Sequence, residues 1–315
     1  MLAIVCPGQG SQTPGFLAPW LDVPGAADHL SELSRLTGRD LVRHGTVSDE
    51  DTIKDTAVAQ PLIVAAGLVA ARALFGGAPV PAGSVLAGHS VGEITASALA
   101  GALTEGDAMA FVRERANAMA EAAAATPTGM AAVLGGDPAE VLSAIESAGL
   151  TAANNNGGGQ IVAAGTNEDI AAFAAAPPAK ARVIPLKVAG AFHTAHMAPA
   201  VGALEALVPS LRPAEPGPVL LSNYDGAPVA TGAANVASLV AQVSRPVRWD
   251  LCMERLAALG VTGLLELPPA GTLTGLAKRG LRGVATLALK SPDDLDAARA
   301  FVAEHTASPA GEETS

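Results

Sequence analysis

Aromatic side chains are scarce in this chain of 315 residues: six Phe, two Trp and one Tyr, 3% in all. A core of the size expected for that length must therefore be packed from Ala, Val, Leu and Ile. Cysteine is rarer still. Cys6 and Cys252 are too few for a disulfide framework, and no CxxC pair offers metal ligands, so a reducing cytosol is the expected setting. Charged residues make up 16% against 50% hydrophobic ones, which describes a globular protein with a large core and excludes a disordered one. The N-terminal MLAIVCPGQG lacks a basic segment and has a short apolar run before Pro7, so no secretory signal is expected. The longest apolar stretch, Leu62 to Phe75, is interrupted by Gly67 and Arg72 and is not expected to span a membrane. A net charge of −11 argues against a nucleic-acid partner. The basic residues nevertheless cluster, with Lys180, Arg182 and Lys187 in one stretch and Lys278, Arg279 and Arg282 in another.

Against this background one segment stands out. Gly88-His89-Ser90-Val91-Gly92 fits the Gly-x-Ser-x-Gly nucleophile elbow, with apolar Val85 to Ala87 leading in and a helix-forming run, Glu93 to Leu99, leading out. That is the strand, sharp turn and helix in which a serine can be presented to substrate. Chance alone produces the pattern roughly 0.2 times in a chain of this composition. A bland alternative exists, because Ser90-x-x-Glu93 is also a capping box that could simply start a helix.

A serine nucleophile needs a base. His89 is a poor one, since adjacent side chains on a sharp turn diverge, and His29, His44 and His305 lie in segments without other site signals. His193 and His196, in Gly190-Ala191-Phe192-His193-Thr194-Ala195-His196-Met197, fall where two domains are expected to rejoin, and clefts between domains are where sites usually lie. No acid at an evident motif completes a triad. Glu205, Asp225 and Asp250 are candidates, and a backbone carbonyl can orient the imidazole equally well. The turn Pro7-Gly8-Gln9-Gly10-Ser11-Gln12 follows the first strand and could offer donors to an oxyanion together with the N–H of Val91. Of Arg113 and Arg115, two positions apart on one helix, at most one points inward, where its fork would suit a carboxylate.

The coarse pattern is strand 2–6, helix 57–75, elbow strand and helix, and helix 104–124. Between 126 and 189 the order becomes β-α-β-β-α-β, with strands at 129–135, 150–153, 160–164 and 181–188 and an Asn/Gly turn at 154–159. The expected architecture is an α/β protein: a parallel-sheet catalytic domain, hydrolase-like, formed by 1–125 and 190–305, with a ferredoxin-like domain inserted at 126–189. Residues 306–315 read as a disordered tail.

Taken together, Pro7–Gln12, Gly88–Glu93, Glu114-Arg115, Gly129–Val133, Gly159–Val162, Ala191-Phe192-His193-x-x-His196-Met197 and Gly275–Arg279 resemble the malonyl-CoA:acyl carrier protein transacylases of bacterial fatty acid synthesis. They are also similar to the acyltransferase domains of polyketide synthases. The resemblance implies Ser90 as nucleophile and His193 as base, with the imidazole oriented by the main-chain carbonyl of Gln242. It further implies an oxyanion hole at Gln9 and Val91, Arg115 paired with the malonyl carboxylate, and Asn154, Asn156 and His89 lining the site. Phe192 would crowd a methyl branch, so methylmalonyl is disfavoured. Gly157-Gly158, where the family often has Ser-Pro, and Arg248, frequently Gln, depart from the pattern. The implied substrates are malonyl-CoA and a phosphopantetheinylated acyl carrier protein, docked on Lys180, Arg182, Lys187, Lys278, Arg279 and Arg282. No resident cofactor or metal, no membrane contact and a monomeric state are expected.

Overall fold

A computed structural model describes residues 1–307. Among the described residues ten strands form two sheets: β1 (Leu2–Cys6), β2 (Val85–Gly88), β3 (Thr128–Gly135), β4 (Thr151–Gly157), β5 (Gln160–Thr166), β6 (Ala181–Pro185), β7 (Val219–Leu221), β8 (Val247–Arg248), β9 (Gly263–Glu266) and β10 (Ala285–Ala288). The first sheet has the order β10-β9-β1-β2-β7, and every pair in it is parallel. Its central strands are buried end to end because both faces are covered. Leu2, Ile4 and Cys6 point into one core, while Ala3 and Val5 point into another on the opposite face. This is why LAIVC reads as an unbroken apolar run.

From β1 the chain winds outward to β2 and β7, then returns to lay β9 and β10 on the other side. Ligands of open parallel sheets bind beyond the carboxyl ends of the strands where this reversal occurs. Cys6 pairs with Gly88, so the Pro7–Gln12 turn and the serine elbow leave the sheet side by side.

The second sheet has the order β6-β3-β5-β4-β8. Its first four strands are antiparallel and, with the helices Pro138–Ser147 and Asn167–Ala175, make the split β-α-β-β-α-β unit. β8 comes from the chain beyond that unit and pairs in parallel with β4, joining the lobe to the large domain. One face of the lobe packs Val133, Ile145, Ile161 and Phe173 under its helices. The other turns Met130, Ala153 and Val162 towards the main core.

Several features differ from the sequence reading. Asn154 to Asn156 lie in β4 and not in a turn, since pairing with β8 at Asn154 and Asn155 extends the strand through two register shifts. The turn rests on Gly157, Gly158 and Gly159 at φ of 66°, 54° and 77°. Proline cannot adopt that φ, which accounts for the glycine at 158. Residues 13–56, to which no element is assigned from sequence, hold the helices Ala26–Thr37, Leu41–Thr46 and Glu50–Lys54, the last two capped by the Asp40 and Asp49 side chains. The apolar helix runs over Thr56–Phe75, long enough to cross a bilayer, yet 83% of its most apolar window is buried against protein. Of the tail, Thr306 closes the last helix, Leu295–Thr306, and residues 308–315 lie outside the described region.

Candidate active site

β2 stops at Gly88, and the chain turns through Ser90 into the helix Gly92–Leu99. Ser90 sits at φ 53°, a left-handed conformation rare for a residue with a side chain. The two flanking glycines are required by contact. A Cβ on Gly88 would strike the backbone of Gly92 and Glu93, and one on Gly92 would strike the carbonyl oxygens of Cys6 and Pro7. The turn is closed by Gly92 N–H to His89 O at 3.0 Å and Glu93 N–H to Ser90 O at 3.0 Å. The capping-box reading of Ser90 and Glu93 does not hold: the helix start has no side-chain cap, and the Glu93 carboxylate accepts from Asn223 N–H and Gln242 Nε2 instead.

The Ser90 hydroxyl lies 2.7 Å from His193 Nε2. On the far side of the ring, Nδ1 is 2.9 Å from the main-chain oxygen of Gln242. A carbonyl can only accept, so Nδ1 carries the proton and Nε2 is free to take one from serine. His193 is held at φ 62° by its own N–H donating to Val243 O and by neighbouring bonds from Ala191 N–H to Thr128 Oγ1 and from Thr194 Oγ1 to Ala191 O. Burial, then the nearby Arg115 cation, push its pKa down to about 3, so the ring is a neutral acceptor at any ordinary pH. His196 is exposed and takes no part. Glu205, Asp225 and Asp250 do not reach the imidazole; Asp250 pairs with Arg248 at 2.8 Å.

Arg115 points inward and is 1% exposed, whereas Arg113 reaches the surface carbonyl of Leu36. One amino group of Arg115 donates to Gln60 Oε1 at 2.6 Å, and the other to Gln242 Oε1 at 2.8 Å and Ser90 Oγ at 3.3 Å. Two glutamines thus clamp the fork beside the Ser90 hydroxyl. The main-chain N–H groups of Gln9 and Val91 take no partner among the described residues, as an oxyanion hole requires. The Gln9 side chain donates to Lys54 O at 3.1 Å and is occupied there. His89 turns away from Ser90, bonding Asn156 Oδ1 at 2.9 Å and tilting against Trp249 with ring centroids 5.8 Å apart. Asn154, Asn156 and Phe192 line the same cavity, walled by the inner face of the lobe and the carboxyl edge of the parallel sheet.

A sequence model described as an acyl transferase domain matches residues 3–306 of this chain. The chain belongs to the acyl transferase domain family. The acyl transferase is 52% identical to the malonyl CoA-acyl carrier protein transacylase of Mycobacterium tuberculosis, over 94% of this chain and 98% of that protein. The crystal structure of MCAT from the same organism superposes with a TM-score of 0.90 at 51% identity, covering 95% and 99% of the two chains. A type II PKS acyl-carrier protein in complex with its malonyl-transacylase contains a chain that matches at TM-score 0.86 and 30% identity, covering 95% and 99%.

Several residues of the acyl transferase site have no motif in the sequence. Gln60 is a buried polar residue within the apolar run of its helix, which is the one signal that marked it. Asn223 donates from Nδ2 to Gly88 O at 2.8 Å and so props the elbow. Glu266, at the end of β9, accepts from the N–H groups of Gly271, Leu273 and Thr274. It thereby fixes the start of the helix Thr272–Gly280, whose Leu273 and Leu276 face the cavity. All six basic residues expected at a docking surface are exposed. Lys187 lies between the cavity residues Leu186 and Val188, and Lys278 and Arg279 end the helix that starts at the cavity.

Proposed function

We propose that this acyl transferase carries malonyl groups from malonyl-CoA to the phosphopantetheine thiol of an acyl carrier protein, through an ester on Ser90. The observation that carries the reading is the buried guanidinium of Arg115, 3.3 Å from the Ser90 hydroxyl. A cation fixed beside a nucleophile selects an acyl group with an anion one short spacer from its carbonyl, and malonyl is that group. A lipase-like esterase has no use for such a cation.

The Ser90 proton passes to His193 Nε2 as Oγ attacks the thioester carbonyl. The tetrahedral oxyanion is received by the free N–H groups of Gln9 and Val91, aided by the dipole of the elbow helix. Collapse expels the CoA thiolate, which takes the proton from His193 and leaves malonyl-serine. In the second half the carrier thiol gives its proton to His193 and attacks the ester, and Ser90 leaves with that proton. These steps use the chain's own residues, the malonyl thioester and the carrier thiol. Phe192 closes the wall where a methyl branch would project, which favours malonyl over methylmalonyl. The product serves fatty acid or polyketide assembly.

Incubation with labelled malonyl-CoA should yield a Ser90 adduct that holo carrier protein discharges. Label appearing mainly as free malonate in the presence of carrier would make the enzyme a hydrolase. The carrier is recognised by charge: Lys180, Arg182, Lys187, Lys278, Arg279 and Arg282 are exposed, Lys187 adjoins the cavity residues Leu186 and Val188, and the set suits an acidic partner. Reversing Lys278 and Arg279 to glutamate should raise the KM for carrier about tenfold at low salt and flatten its salt dependence. The malonyl-CoA half-reaction should not change, and an equal loss in both half-reactions would remove these residues from docking.

A further inference from the structure

Glu93 is the one buried carboxylate at the elbow, and the transfer steps make no use of it. It is fully enclosed, 0% exposed, although it follows the nucleophile by only three positions. Its oxygens accept from Asn223 N–H at 3.1 Å and from Gln242 Nε2. The same Nε2 also donates to Ser90 O at 3.1 Å, while Gln242 Oε1 accepts from Arg115. Gln242 is therefore a bridge with a sense of direction. Its amide nitrogen must face Glu93 and its oxygen must face the guanidinium.

An ionised carboxylate enforces that direction, because it has no proton to give. Protonated, it would offer a donor to Gln242 in place of a charge, and only the Ser90 carbonyl and Arg115 would then hold the amide against reversal. The reversed amide would aim its N–H groups at the Arg115 cation and break one side of the clamp. We propose that Glu93 is a positioning residue for acyl selection: as a carboxylate it holds the Gln242 amide so that Arg115 is presented to the substrate's anion. This deepens the malonyl reading and rests on it.

The electrostatics agree. Burial raises Glu93 to about 7, against the bonds from Asn223 and Gln242 and the charge of Arg115, which favour the anion. The other groups facing it are Arg115 from the helix Glu105–Ala125 and Cys252 from the helix Trp249–Ala258. The Cys252 thiol is held protonated by burial and by this same carboxylate. The carboxylate form, and with it the presented arginine, exists above that pKa and is lost as pH falls through it. His193 stays neutral across the same range.

The test uses the full chain and reads Ser90 acylation by malonyl-CoA and by acetyl-CoA separately, in the native protein and in Glu93→Gln. Native preference for malonyl should fall severalfold as pH is lowered from about 8 to about 6. In Glu93→Gln the preference should fall roughly tenfold, mainly through the malonyl KM, and be flat over that pH range. Labelling of Ser90 by an uncharged sulfonyl fluoride should persist in the variant. An unchanged preference in the variant overturns the proposal, as does equal loss of both acyl groups together with slowed labelling. If Glu93→Gln does not fold, a pH-independent preference in the native protein overturns it alone. Native protein without malonyl preference at any pH would instead defeat the functional reading beneath it.

Discussion

Replacing Arg115 with alanine should slow malonyl transfer about 10²- to 10⁴-fold while acetyl transfer falls far less. The magnitude comes from the substrate side. The malonyl carboxylate would enter a site with no cation, and an unpaired buried charge costs about 3–5 kcal/mol. Acetyl has no such charge and loses only the positioning that Arg115 gives through Gln242 and Ser90. Arg115→Lys should recover little, because an ammonium cannot span Gln60 and Gln242 and still face a carboxylate with two parallel donors. Acylation rates with the two CoA esters decide the matter. Equal losses would mean that the arginine supports the nucleophile and does not select the acyl group.

How much of this was legible in the chain follows from where the interactions lie in sequence. The elbow is local: two glycines, a serine and the flanking strand and helix all fall within a dozen residues, and each glycine answers to a nearby backbone clash. The parallel core is legible for a similar reason, since strands buried on both faces leave continuous apolar runs. The pair Arg113 and Arg115 could be narrowed to one inward residue by helical spacing, and the family resemblance chose Arg115. The clamp around it is another matter. Gln60 and Gln242 reach Arg115 across 55 and 127 residues, and Glu93 meets Gln242 across 149. No periodicity reports such pairings. The capping alternative at Glu93 fails for a local reason: a glutamate three residues after a serine satisfies that pattern whichever way its side chain turns. The helices between residues 26 and 54 were missed although Ala26, His29, Leu30, Leu33 and Thr37 recur at helical spacing. Their turns are short and polar, and the side chains that cap them look like ordinary loop residues.

Removing the base should cost both acyl groups heavily, malonyl somewhat more than acetyl. His193→Ala is expected to slow Ser90 acylation by malonyl-CoA and by acetyl-CoA about 10³-fold, since nothing else within reach of the hydroxyl can accept its proton. His89, the neighbouring imidazole, is turned to Asn156 and cannot substitute. A loss confined to malonyl would place His193 in substrate binding and not in proton transfer. The arginine adds a second layer to this prediction. Arg115 lowers the basicity of His193, second only to burial. A malonyl carboxylate paired with that guanidinium offsets its charge, so the bound substrate raises the basicity of the group that must deprotonate the serine. Acetyl provides no such relief. Discrimination in the native enzyme should therefore appear in the acylation rate at saturation as well as in KM, and the rate component should vanish in His193→Ala. A preference expressed only in KM would show that the arginine anchors malonyl without acting on the base.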